Sequence, residues 1–63
     1  MSYGELRERV LMLPPQRWTA KELADALGVP YREAKSTLVL MLHEGLAQKD
    51  SVRSKTYQIV FPR

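Results

Sequence analysis

The sequence has no cysteine, so neither a disulfide framework nor a thiolate metal cluster can reinforce a core drawn from only 63 residues. Apolar packing, or association with a second copy, has to supply that stability. No apolar run approaches the roughly 18 residues that span a bilayer. The opening Met1-Ser2-Tyr3-Gly4-Glu5-Leu6-Arg7 lacks the basic-then-apolar order of a secretory signal, and a soluble, cytoplasmic chain without membrane partners is the expectation. Histidine occurs once, at His43, with no second ligand at metal-binding spacing, so a surface histidine is expected rather than a metal site. Ser2, Ser36, Ser51 and Ser54 have no histidine partner in a recognisable arrangement, and a glycine-rich phosphate loop is missing. The sequence therefore points to no catalytic residue, no cofactor, no small-molecule effector and no enzyme. A chain of this length buries only about 60% of the surface exposed by its unfolded form, which leaves room for one domain over residues 1–63.

What is present is an uneven charge. Residues 1–44 balance Arg7, Arg9, Arg17, Lys21, Arg32 and Lys35 against Glu5, Glu8, Glu22, Asp25, Glu33 and Glu44. Residues 45–63 set Lys49, Arg53, Lys55 and Arg63 against Asp50 alone, so the net charge of +3 resides in the last part of the chain. A modest basic end is compatible with an acidic partner, and its position matters more than its size.

Ser2 with Glu5 forms a capping-box pattern that starts a first helix. Tyr3, Leu6, Val10 and Leu13 then recur at helical period, and Pro14-Pro15 ends the run. Arg17-Trp18 reads as a short extended link, with Trp18 a core residue. Thr19 with Glu22 is a second capping box, opening a helix whose buried side is Leu23, Ala24 and Leu27, and Gly28 stops it. A third helix is expected from about Pro30 to about Glu44, before Gly45. Ala34, Leu38 and Met41 face its core side, while Arg32, Ser36, Val39 and His43 point outward. Residues 46–50 and 56–61 read as two strands, joined by the basic tip Ser51-Val52-Arg53-Ser54-Lys55. Tyr3 should staple the first helix, and Glu33 and Glu44 should be solvated.

The segment Leu23-Ala24-Asp25-Ala26-Leu27-Gly28-Val29 carries the most specific pattern. Ala24 lets two helices cross closely, Gly28 makes the turn, and Leu27 and Val29 bury beneath it. This resembles a helix-turn-helix. With a helix before it and a basic hairpin after Gly45-Leu46, residues 2–61 resemble a winged helix-turn-helix domain of the α+β class: three helices followed by a two-stranded β-hairpin wing. The scaffold from Leu27 to Ile59 is similar, without gaps, to Z-DNA-binding winged helix domains. It does not keep their diagnostic contacts: Lys35 and Val39 stand in place of an asparagine and a tyrosine, Ser54-Lys55 in place of a proline pair, and Tyr57 in place of a tryptophan.

The resemblance implies binding of double-stranded DNA, with the third helix in the major groove and the wing along the backbone or in the minor groove. Tyr31, Arg32, Lys35 and Ser36 occupy the first two turns of that helix, where base edges and flanking phosphates are met. Val39 suits a thymine methyl, Arg53 and Lys55 suit the wing, and Thr19 and Lys21 lie at a helix N-terminus that presents N–H groups to phosphate. Arg17 assists from the preceding link. The expected role is a small transcriptional regulator of the bacterial or phage kind, acting as a dimer. Leu40, Leu42 and Met12, with Leu11, are the candidates for self-association. Two other uses of the scaffold stay open: a protein-interaction module that docks through the apolar late third helix, and an architectural DNA-binding factor.

Overall fold

A computed structural model describes residues 2–14 and 16–60. Three helices and a three-stranded antiparallel sheet follow in the order α1 (Tyr3–Leu11), β1 (Arg17–Thr19), α2 (Ala20–Leu27), α3 (Tyr31–His43), β2 (Ala47–Lys49) and β3 (Thr56–Ile59). The fold is of the α+β class. Among the described residues no helix is long and apolar enough to cross a membrane.

Local chemistry explains most of these boundaries. The Ser2 hydroxyl accepts from the Glu5 N–H, and Thr19 with Glu22 completes a reciprocal capping box at the start of α2. Gly28 ends α2 in the left-handed region, at φ 69°, and Val29 N–H reaches back to the Ala24 carbonyl. Gly45, at φ 80°, ends α3 the same way, with Leu46 N–H donating to Met41 and Gly45 N–H to Leu42. The Arg9 guanidinium donates to the Leu27 carbonyl at 2.9 Å, adding a cation where the dipole of α2 is negative. α1 stops at Leu11, two residues before the end of its apolar stripe. The Met12 N–H turns back to the Arg9 carbonyl and the Leu13 N–H to the Val10 carbonyl, tightening the last turn ahead of Pro14. Pro30 is the N-cap of α3 rather than a residue of its first turn.

The sheet corrects the expected two-stranded hairpin. Arg17–Thr19 is not a link but a third strand, and the order β1-β3-β2 makes β3 the centre. The register sets Trp18 opposite Tyr57 on one side and Lys49 opposite Tyr57 on the other. Strand alternation then puts Trp18, Ala47, Tyr57 and Ile59 on the buried face. They close over Leu6, Val10, Leu23, Leu27, Ala34, Leu38 and Met41 from the helices. The buried Thr37 hydroxyl is satisfied by the Glu33 carbonyl at 2.8 Å. β2 and β3 are shorter than expected, and Phe61 lies outside the described residues, as does Arg63.

Glu44 is exposed, as expected, and it also accepts from the Tyr3 hydroxyl and pairs with Arg7 at 3.2 Å, clasping the start of α1 to the end of α3. Arg7 also lies over the Tyr3 ring, 5.6 Å from its centroid. Burial, then the hydrogen bond to Glu44, holds the Tyr3 phenol above its ordinary pKa, with Arg7 opposing.

Candidate nucleic-acid interface

The capping box at Thr19 fixes where α2 begins, and the turn at Gly28 fixes how α3 leaves it. The hairpin then folds back across the gap between the two helix starts. The result is a groove of about 470 Å³ lined by Thr19, Ala20 and Lys21 from the start of α2, and by Tyr31 and Lys35 from α3. Lys49, Ser54, Lys55 and Tyr57 of the hairpin complete it. Five residues singled out from the sequence, Thr19, Lys21, Tyr31, Lys35 and Lys55, therefore meet around one concavity.

Its charge is of one sign. Four lysines contribute to the lining and no carboxylate does. The ion pairs among the described residues use Arg7 and Arg17, and none uses Lys21, Lys35, Lys49 or Lys55. Ammonium groups gathered without acidic partners repel one another, and an anion placed between them relieves that repulsion. Lys49 is the most constrained of the four. Its ammonium lies 5.2 Å from the centroid of the Tyr57 ring and donates to the Val52 carbonyl at 3.3 Å. The Ser54 hydroxyl accepts from the Thr56 N–H at 3.2 Å and sits 3.0 Å from the Thr56 hydroxyl, which shapes the chain entering β3 beside Lys55.

Other predicted residues lie elsewhere. At about 100° per residue, Tyr31, Lys35 and Leu42 share one flank of α3, Glu33 and Leu40 the other, and Arg32, Ser36, Val39 and His43 the outward face between. Arg32 and Ser36 line a shallower depression of about 240 Å³ between α1 and α3, together with Tyr3, Leu6, Glu33, Thr37 and Leu40. Val39 is half-buried, and Arg53 is exposed in the hairpin loop without lining the groove. Arg17, on β1, is paired at 2.6 Å with Asp50, just after β2, so the ion pair bridges the central strand β3.

Leu40 is 45% exposed and Met12 85% exposed, whereas Leu42 is half-buried. Leu40 lies beside the start of α1 and Met12 caps its far end, so these apolar residues do not form one patch.

Sequence reasoning did not single out Lys49, Ser54 or Tyr57 as site residues. The signal for Lys49 is its alternation with buried Ala47 along β2, which puts both on the inner side of the hairpin. Among the described residues, no group of three or more His, Asp or Glu side chains stands ready to hold a metal ion. Comparison of the chain with models of protein families, with curated proteins and with solved structures returned no match.

Proposed function

We propose that the chain is a winged helix-turn-helix domain that binds double-stranded DNA and acts as a small transcriptional regulator. In this reading α3 enters the major groove, and the loop between β2 and β3 is the wing that follows the phosphate backbone or enters the minor groove. The observation that carries it is the convergence of Lys21, Lys35, Lys49 and Lys55 on one groove with no carboxylate in its lining. Arg32 and Ser36, on the outward face of α3, are the residues available to base edges, with Val39 as an apolar neighbour.

Four lysines neutralising about four phosphates give a slope of log K against log salt near −4. Charge reversal at Lys35 and Lys55 together should remove most of that binding and flatten the slope, with the far-UV circular dichroism unchanged because both side chains are exposed. Fluorescence anisotropy with a mixed-sequence duplex at two salt concentrations checks this. Affinity that ignores salt, or survives the double reversal, sinks the proposal. A protein-interaction module is the second reading, favoured by the exposed Leu40 beside Leu6 and Tyr3. The same assay separates the two, since under the second reading the unaltered chain binds no duplex, whereas under the first it binds and Leu40→Glu leaves that binding intact.

A further inference from the structure

The lysine groove contains more than a row of cations needs. Its volume of about 470 Å³ falls in the range of pockets that enclose a small organic group, and an open aromatic ring stands in its wall. The three tyrosines differ in this respect. Tyr3 is tied to Glu44 and covered by Arg7, and Tyr57 is buried with Lys49 over its ring. Tyr31 is 53% exposed and makes no side-chain hydrogen bond or ring contact among the described residues. Lys35 follows it by one turn of α3, which sets their Cβ atoms about 5–6 Å apart on the same face, and Lys21 and Lys55 stand in the same lining.

We propose that this groove seats an unpaired nucleotide, with its base stacked on Tyr31 and its flanking phosphates held by Lys35, Lys55 and Lys21, so that the chain also binds single-stranded DNA. The inference rests on the reading of the groove as a DNA site. A ring face and surrounding cations are the two elements by which single strands are held without regard to sequence, because every base has a π-face and every linkage a phosphate. In a paired duplex the base faces are covered by their neighbours, and the Tyr31 ring has nothing to stack on. A strand suits the site better than a lone phosphate, since it supplies a phosphate on either side of each base to lysines from three different parts of the fold.

The test is fluorescence anisotropy with labelled oligothymidylate of about ten residues and, separately, a mixed-sequence duplex. The proteins are the unaltered chain, Tyr31→Ala, Tyr31→Phe and the Lys35→Glu/Lys55→Glu double variant. The expected result is binding of the single strand that Tyr31→Ala weakens by about tenfold, that Tyr31→Phe retains, and that the double variant loses, with Tyr31→Ala lowering duplex affinity by a clearly smaller factor. Binding of duplex alone, or equal effects of Tyr31→Ala on both probes, overturns the stacking proposal and leaves the duplex reading standing. Binding of the single strand alone supports it and removes the duplex reading. Failure of the unaltered chain to bind either probe overturns both.

Discussion

Gly4 and Gly28 make opposite use of the same missing side chain. A Cβ at either position meets nothing within 4 Å, so packing does not distinguish them. Backbone conformation does. Gly28 sits at φ 69°, where an L side chain is strained, whereas Gly4 lies inside α1 with ordinary helical geometry. Gly28→Ala should therefore destabilise the fold by about 1 kcal/mol, and Gly4→Ala should stabilise it by about 0.5–1 kcal/mol. Thermal or urea melts of the two variants check the pair. Equal signs would mean that the turn at Gly28 relaxes on substitution. Features of this kind are legible in the sequence because their causes are local: Thr19 needs only Glu22, and Gly28 needs only the helix it ends. The partners of Glu44 were not legible, since Tyr3 and Arg7 lie 41 and 37 residues away.

α1 is fastened to the end of α3 by that cluster, and its contribution depends on pH. The Tyr3 phenol has a raised pKa, chiefly through burial and then through the hydrogen bond to Glu44. Its neutral form is thus bound more favourably in the folded chain than in the unfolded one. The resulting stability is fully present below the ordinary tyrosine value of 10.0 and is lost as pH rises through the raised folded value. The unaltered chain should exceed Tyr3→Phe in stability at neutral pH, and the gap should narrow at alkaline pH as the phenol titrates and a phenolate comes to face the Glu44 carboxylate. Urea midpoints of the two proteins at neutral and alkaline pH test this, and a gap that does not narrow contradicts it. Among the elements, the three helices were visible from caps and apolar spacing. β1 was not, because three residues are too few to display alternation and its partner β3 lies some 40 positions further on. Register, rather than distance, hid part of the groove. Lys21, Lys35 and Lys55 stand out as basic residues near helix starts or a loop, but Lys49 and Tyr57 join them only through the pairing of β2 with β3.

At the scale of the molecule, one core has to hold both the helices and the sheet. A domain of this length has roughly 3–9 kcal/mol of stability in hand, and Leu38, fully buried, stands at the centre of the helical side. Leu38→Ala should cost about 2–5 kcal/mol, a large fraction of the whole. The urea midpoint should fall by about a fifth at the least, with the slope unchanged if unfolding stays two-state. Trp18 makes the stricter test possible. It is the one tryptophan of the chain, and it lies in β1 on the buried face of the sheet, within the same core cluster as Leu38. If that core is a single cooperative unit, Trp18 emission and the helical circular dichroism should follow one urea curve in both proteins. In Leu38→Ala a Trp18 transition at lower urea than the helical one would mean that the sheet leaves before the helices. The lysine groove, which needs hairpin and helices together, would then be lost before the helix signal reports any change.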